Sequence, residues 1–541
     1  MDREFNLIDE PWICVRMTDC KTKEVGLRDA LLQSHTYTEL AGETKTQDFA
    51  VLRLMLAVIC TVFSRYDTEG SDLELGSDPV DYWKAVWDSG TFPEAPFARY
   101  FSEWKDRFWL FDSDNPFCQS KAAKEKGNPI STAKMIGTLF ESNNKARLFS
   151  DRNQAGRALS YAEAARWLLH LNCFDDIAAK NPTPKRTWCG KLSLAALTGR
   201  NLFETLMLNY CANADSVRVL PKMPAWEIHE PSSEFNRQIV PPNEQAALLT
   251  LQSRKIWLCR EGDAVNAYRL AGGDWFEEDA HFDEQMTLWN GYREKPDAPT
   301  QFKPKRYDTS KLIWQEFGSI SALAVEQRDA RNFIRPAGVV EWMHFLVKKK
   351  LLRRDYHVKI CTAAVIYDFK QATSLPVLDT VSDTISFHSN LLDDAGAAWR
   401  RMIVDEVGKC EKAAGYVYLL YKNLQLASGR RDKDEKESQS GEQDAKEEYY
   451  ARIDREFRLW LDRLDPDSDL EEAAGELEAV LRRIAISYGR ELAAQCGGQT
   501  VFGRYSDNGI VSSAKALNLF EGSVKKLFSD TDSAENGGES N

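Results

Sequence analysis

The stretch from Val339 to Ser374 constrains the fold most, because a helical pattern, a strand pattern and a polar tip follow one another without a break. Its first apolar residues recur at spacings of three and four, the period of one face of an α-helix. The mostly apolar, β-branched run from Val358 to Tyr367 is typical of a buried strand. The run ends at Asp368, so we predict an exposed tip that carries Lys370 and Gln371.

The predicted helix is densely basic. Its apolar stripe consists of Val340, Met343, Val347 and Leu351. Lys349 and Arg353 fall on the opposite side of the same helical wheel. The residues predicted to contact a DNA backbone are Lys348, Lys349, Lys350, Arg353 and Arg354. Because the chain has a formal net charge of −13, this excess indicates local phosphate contact rather than general coating of nucleic acid. A solvated helix face without a partner is the alternative interpretation.

Composition excludes several classes of protein. The 541 residues allow more than one domain, and 43% hydrophobic with 11% aromatic residues indicates a globular chain. The polar, acidic start lacks a signal peptide, and the apolar run from Val51 to Phe63 contains Arg53 and is too short for a bilayer. We therefore expect a cytoplasmic protein without a membrane contact. The 11 cysteines are scattered without a C-x-x-C pair, which predicts no disulfide framework, metal site or cofactor.

Two basic segments precede this stretch. The first, residues 143–156, offers Arg147, Phe149, Arg152 and Asn153 as nucleic-acid contacts. An aromatic ring in a basic loop suits stacking on an unpaired base. The second basic loop runs from Asn181 to Lys191. Loops of this composition are also common without any such role.

The C-terminal part changes to long helical patterns, which predict a four-helix bundle. We assign residues 1–380 to a large irregular α+β domain, 381–528 to the bundle and 529–541 to a disordered tail. Ser428 to Ala445 contains no large apolar residue and is predicted to be a flexible loop inside the bundle. The predicted fold class is therefore α+β, mostly helical.

Common catalytic signatures do not occur: there is no G-x-x-x-x-G-K-[ST], G-x-G-x-x-G, H-E-x-x-H or G-x-S-x-G. The acids between Asp462 and Asp469 follow a predicted helix break, where solvation explains them. We predict that the chain is not an enzyme. A metal-dependent nuclease or hydrolase with a dispersed carboxylate site is the alternative, and a purely structural helical scaffold is a third.

Several short sequence segments occur in a characteristic order along the chain. They are FNLIDEPWI, NPFCQ, RNQAG after Phe149, GKLSLAALTGRNLFETLMLN and IYDFKQAT, followed by the helical pattern. Over nearly the whole chain this order resembles the CasA family, the large subunit of the type I-E CRISPR surveillance complex Cascade. The resemblance implies a non-catalytic subunit at the 5′ end of the guide RNA that recognises the protospacer-adjacent motif (PAM) in double-stranded DNA. It also implies help in opening the duplex for R-loop formation. The implied partners are other Cascade subunits, the CRISPR guide RNA, the target duplex and a helicase-nuclease effector that docks on this subunit.

The same resemblance assigns site residues. Lys370 and Gln371 match the family's duplex wedge, and Phe149 matches an aromatic residue near the RNA 5′ end and the PAM. The family's PAM-reading loop falls near residues 181–190, where the candidate residues are Lys185, Arg186, Gly190 and Lys191. The zinc-binding cysteines of some members are replaced here by the stretch Ser160–Glu163, and no lysine in the acidic region 274–284 matches the family's minor-groove lysine. The PAM sequence itself is not implied.

Overall fold

The computed structural model describes residues 3–125, 128–136, 157–175, 187–214, 222–277, 283–295, 298–306, 308–321, 332–353, 355–367, 377–392, 396–429, 435–506 and 509–528. The α-helices in this part are α1 (Leu27–Leu32), α2 (Lys45–Phe63), α3 (Pro79–Ser89), α4 (Glu94–Trp104), α5 (Lys121–Lys124), α6 (Tyr161–Phe174), α7 (Leu202–Asn209), α8 (Gln245–Leu249), α9 (Phe317–Ile320), α10 (Gly338–Lys348), α11 (Ala397–Ser428), α12 (Glu435–Arg463), α13 (Leu470–Ala494) and α14 (Ser513–Leu527). The strands are β1 (Glu4–Asn6), β2 (Ile13–Met17), β3 (Thr22–Val25), β4 (Tyr37–Leu40), β5 (Trp109–Phe111), β6 (Ile130–Ser131), β7 (Leu194–Thr198), β8 (Arg254–Glu261), β9 (Ala264–Gly272), β10 (Trp289–Tyr292), β11 (Gln301–Pro304), β12 (Asn332–Arg335), β13 (His357–Tyr367), β14 (Val377–His388), β15 (Arg504–Ser506) and β16 (Gly509–Val511). This mixture confirms the predicted α+β class with a helical majority.

The chain forms two compact units. The first contains residues 1–310, 322–351 and 358–384, and the second contains 311–321, 352–357 and 385–541. The main passage between them lies within β14, close to the sequence-predicted boundary at residue 380. Two short pieces that precede this passage also belong to the second unit, so a single cut in the sequence does not describe the division.

Helix α2 is the centre of the first unit's core. Its residues from Thr46 to Phe63 are all buried, because apolar side chains cover every face of the helix. The charged Arg53 is tolerated because its Nη1 lies 2.8 Å from Oε1 of Glu284, which is equally buried. By length and composition α2 could cross a membrane, yet the whole apolar window lies inside the protein. The prediction of a buried helix here is confirmed.

The strands of the first unit form small separate sheets. Those that carry candidate sites have the strand orders β14-β13-β7 and β6-β9-β8. β13 is the central strand of the first, and it pairs antiparallel with β7 from Lys359 opposite Thr198 to Ala363 opposite Leu194. Strand β9 is central in the second, because β8 and β6 pair with its two edges.

The second unit is built on the helices α11–α14, and α11 contacts the other three. The apolar face of α12 is buried, with Tyr449, Ile453 and Phe457 each 0% exposed. The flexible loop predicted from Ser428 to Ala445 is wrong in its extent, since α12 begins at Glu435. Glu, Lys and Gln are good helix formers, so a polar sequence can extend a helix whose later turns are anchored in a core. A Cβ at Gly441 would lie 2.7 Å from the Tyr421 hydroxyl, so this polar turn packs against α11.

Candidate nucleic-acid interface

Helix α10 presents the basic residues of the central stretch. It docks through the predicted stripe, because Val340, Met343 and Val347 are at most 7% exposed. The three lysines at its C-terminal end, Lys348, Lys349 and Lys350, are exposed. The prediction of an amphipathic helix with outward charge is therefore confirmed for this part of the stretch.

The helix ends earlier than the sequence pattern indicated. The backbone N–H of Leu351 donates to the carbonyl of Leu346 (2.9 Å), and that of Lys350 donates to Val347 (3.0 Å). These two bonds form a Schellman motif, in which the residue after the cap takes a left-handed conformation. That residue is Lys350, with φ of 57°. Since glycine normally occupies this position, no residue type in the sequence signals the helix end here.

Arg353 therefore does not share a helical face with Lys349, and that prediction is wrong. Arg353 is exposed and donates from Nε and Nη2 to the two carboxylate oxygens of Asp355, at 3.0 and 2.8 Å. This hydrogen bonding holds the pKa of Asp355 below its ordinary value. Arg354 lies outside the described residues. The basic surface that the structure supports thus consists of the lysines at the end of α10.

The position of these lysines has a structural explanation as well as a functional one. The C-terminal end of a helix carries partial negative charge, so cations there are stabilising by a few tenths of a kcal/mol. Lys349 also places its Nζ 5.9 Å from the centre of the Phe345 ring. Helix stability alone would not require three exposed ammonium groups in a row. Such a group of flexible charges suits phosphate oxygens, which are contacted without base specificity.

Strand β13 leads to the candidate wedge. It runs through the middle of its sheet, and Val358, Ile360 and Thr362 on one face are buried. This confirms the predicted buried strand. β13 ends at Tyr367 and its neighbour β14 begins at Val377, so residues 368–376 connect two adjacent strands. Lys370 and Gln371 belong to this connection and lie outside the described residues.

The end of β13 is tied to a second candidate segment. The hydroxyl of Tyr367 donates to the backbone carbonyl of Phe174, the last residue of α6. The next residue, Asp175, is buried and accepts at its carbonyl a hydrogen bond of 2.5 Å from Arg254 Nη2. Residues 176–186, which include Lys185 and Arg186, follow directly and lie outside the described residues. The two segments that contain the predicted wedge and PAM residues therefore start from one buried, hydrogen-bonded base.

The first basic segment of the sequence analysis, residues 143–156, is flanked in the sequence by two residues that pair with β9. Before it, Ser131 pairs with Ala267 of β9. After it, Leu159 and Val265 of β9 exchange two backbone hydrogen bonds of 2.9 Å. Arg147, Phe149, Arg152 and Asn153 lie outside the described residues. Helix α6 begins with a capping box, in which the side chains of Ser160 and Glu163 each accept from the other's backbone N–H.

The remaining candidates lie in a buried turn. Gly190 and Lys191 belong to the 3-10 helix Cys189–Lys191, and Gly190 is only half-exposed. The preceding Trp188 donates from its indole nitrogen to Glu284 at 2.8 Å, so the turn is fixed to the Arg53–Glu284 ion pair. Sequence reasoning missed Tyr367, Arg254 and Glu284 as the residues that position these segments, because side chains joined across such sequence distances leave no local pattern.

A metal site needs several His, Cys, Asp or Glu side chains in one place. Within the described ranges no three His, Cys, Asp or Glu side chains come together as a metal site. Asp112, in the loop after β5, accepts from Arg3 at 2.8 Å and from two backbone N–H groups.

The sequence model of the family described as CRISPR-associated protein Cse1 matches residues 6–488. This chain belongs to the Cse1 family. The match spans most of the chain, and it confirms the resemblance drawn from the ordered segments.

Relatives of known sequence or structure agree with this membership. The CasA/Cse1 protein of Thermus thermophilus is 28% identical over 331 residues, which span 59% of this chain and 60% of that relative. The aligned part is thus less than two thirds of the curated relative's length. The crystal structure of Thermobifida fusca Cse1 has a TM-score of 0.82 and 26% identity, covering 97% of this chain and 98% of its own. A chain of a structure described as a CRISPR RNA-guided surveillance complex shares the fold, with a TM-score of 0.66, 16% identity and coverage of 96% and 99%.

Proposed function

We propose that this Cse1 chain is the large, non-catalytic subunit of a type I-E CRISPR surveillance complex. In this proposal it recognises the PAM in double-stranded DNA, helps to open the duplex for guide-RNA pairing and provides the docking surface for the helicase-nuclease. The other Cascade subunits, the guide RNA and the target duplex are its partners in the cytoplasm. Family membership over residues 6–488 and the fold shared with a surveillance-complex chain support this assignment.

One structural observation carries the duplex-opening part of the proposal. Tyr367 joins the end of β13 to the end of α6, and these are the described residues after which the segments with Lys370, Gln371, Lys185 and Arg186 follow in the sequence. A rigid base is what a wedge requires, because parting a stacked and paired base step costs on the order of a few kcal/mol. A segment that recognises the PAM beside that base would place the wedge next to the first base pair to be opened.

The proposed function is also consistent with the acidic composition of the chain. Sequence is read by pairing with the guide RNA, so the protein needs only local contacts to the duplex backbone and a short motif. The exposed lysines at the end of α10 are suited to the backbone contact, since each ammonium neutralises a phosphate without reading a base.

Co-expression and R-loop assays test this function. We expect the chain to co-purify with the other subunits and a short guide RNA. We also expect the complex without it to lose R-loop formation on duplex targets while it still binds complementary single strands. Cleavage of nucleic acid by the isolated chain with added divalent metal, or full R-loop formation without the chain, would contradict the proposal.

A further inference from the structure

A cleft of about 430 Å³ lies in the first unit. One wall is the NPFCQ segment, Asn115–Gln119, which the proposed function does not use. The segment is held rigidly, because Gln119 donates to the carbonyl of Leu110 (2.6 Å) and accepts from the N–H of Leu258 (2.9 Å). Ala225, Trp226 and residues 228–233 also line the cleft, together with the buried Lys255. A fixed, preformed cleft of this size is typical of a small-molecule site.

Lys255 is the most informative residue of the cleft. It is the second residue of β8 and only 7% exposed, yet it carries an ammonium group. That group donates to the carbonyl of Ser232. An ammonium has three donors, and within the described residues the other two have no hydrogen-bond acceptor. Burial lowers the pKa of Lys255, which the neighbouring Asp274 opposes only in part. A buried cation with unused donors is a natural partner for an incoming anion.

The other cations of the cleft are already oriented. Arg237 donates to both carboxylate oxygens of Asp274, from Nε at 2.9 Å and Nη2 at 2.5 Å, and its side chain stays 37% exposed. Arg107 donates to the carbonyls of Trp226 (2.8 Å) and Ile228 (2.5 Å) in the wall. The acids Asp114 and Glu230 also line the cleft, but both are exposed and Asp114 is paired with Lys121. Lys255 is thus the buried cation of the cleft, whereas the acids Asp114 and Glu230 are exposed.

We propose that this cleft binds a phosphomonoester, with Lys255 as the residue that holds the phosphate. The hydroxyl groups of Ser232 and Ser233, which also line the cleft, can donate to further phosphate oxygens. A phosphate alone would leave most of the volume empty, whereas a nucleotide would also cover the walls made by Pro116 and Pro231. The ligand class is therefore a nucleotide 5′-phosphate, either free or at the end of an RNA strand.

Calorimetric titration of the full chain tests the site with AMP as the probe and adenosine as the phosphate-free control. We expect AMP to bind and adenosine to bind at least tenfold more weakly, since the charge-assisted hydrogen bond to the phosphate is lost. Lys255→Met keeps the length of the side chain and should weaken AMP binding at least tenfold. Lys84→Met, at an exposed lysine of α3 that does not line the cleft, is the matched control and should change binding less than threefold. Equal affinity for AMP and adenosine, no AMP binding at millimolar concentration, or an unaffected Lys255→Met variant would overturn the proposal.

Two further measurements complete the test. A 5′-phosphorylated adenosine dinucleotide that displaces AMP, while its 5′-hydroxyl form does not, identifies an RNA end as the ligand. Failure of both dinucleotides to displace bound AMP identifies a free nucleotide. If Lys255→Met does not fold, acetylation of the native chain by acetic anhydride replaces it. AMP should then slow acetylation of Lys255 at least fivefold and leave the rate at Lys84 unchanged. Equal rates at Lys255 with and without AMP would contradict the assignment.

Discussion

At the scale of single residues, Lys350 shows how a local exception limits prediction. Its buried neighbours followed the helical period and were predictable from the sequence. The end of α10 was not, because a lysine occupies a left-handed position at φ of 57° where glycine is usual. A side chain in this conformation costs roughly 1 kcal/mol. Strain of this kind persists where the surroundings or the function hold the residue in place.

Lys350→Gly should therefore stabilise the fold. Relief of the left-handed strain is expected to raise the free energy of unfolding by about 1 kcal/mol, measured by urea denaturation. The control is Lys349→Gly, which loses the same charge at a φ of −82° and should lower the free energy of unfolding. If both glycine variants are destabilised equally, the left-handed geometry assigned to Lys350 is wrong.

A buried cluster in the second unit makes stability depend on pH. Glu406 of α11 is 1% exposed and lies 2.8 Å from Lys409 Nζ, which also contacts Glu478 of α13. Burial raises the pKa of Glu406 to about 7 from an ordinary 4.5. The folded chain thus retains a proton that the unfolded chain releases between these two values. Because the folded state binds more protons there, the free energy of unfolding falls as pH rises through this window.

Glu406→Gln should remove this loss of stability with rising pH. Relative to the native chain, the variant is expected to gain stability between pH 5 and pH 8 by on the order of 3 kcal/mol, since each pKa unit corresponds to about 1.4 kcal/mol. Urea denaturation at the two pH values measures the difference. Asp405→Asn, its neighbour on the same helix, is the matched control and should show no such gain. A constant offset between Glu406→Gln and the native chain at both pH values would argue against a raised pKa.

At the scale of elements, hydrophobic periodicity predicted the helices and strands that bury one face. It did not predict the helical turns that consist of polar residues. The bundle helices and β13 were predictable because their apolar residues recur with the period of the element. The first turns of α12 were not, because residues 435–445 carry no large apolar side chain. Their helical propensity and continuity with the buried Tyr449 decide the conformation.

At this scale, we predict that the lysines at the C-terminal end of α10 contact the phosphates of the target duplex. In the assembled complex, Lys348→Gln with Lys349→Gln should lower affinity for all duplexes alike. The slope of log affinity against log salt should flatten by about 1.8, because each lost phosphate contact removes roughly 0.9. The control is Lys525→Gln with Lys526→Gln, which removes the same charges from the last turn of α14. An unchanged slope in the α10 variant would indicate that these lysines are solvated and do not contact DNA phosphates.

At the scale of the whole molecule, the segments quoted in the sequence analysis were sufficient to predict the family. The arrangement of the candidate site could not be predicted from the sequence. The contacts that position it, Tyr367 with Phe174, Arg254 with Asp175 and Arg53 with Glu284, join residues far apart in the chain. In each contact a polar group is buried, and its hydrogen-bond or ion-pair partner is brought close only by the folded core. A sequence pattern records which faces are buried, but it does not record which distant polar groups meet.

The most direct test of the proposed function compares two DNA targets with one variant. Lys370→Ala with Gln371→Ala should leave folding and assembly with guide RNA intact, because both residues lie beyond the anchored end of β13. R-loop formation, followed by a fluorescent base analogue beside the PAM, should slow at least tenfold on a fully paired duplex. It should be nearly normal on a duplex already mismatched beside the PAM, since the cost of opening that step has been removed. Equal loss on both targets, or no loss on either, would contradict a wedge at these residues.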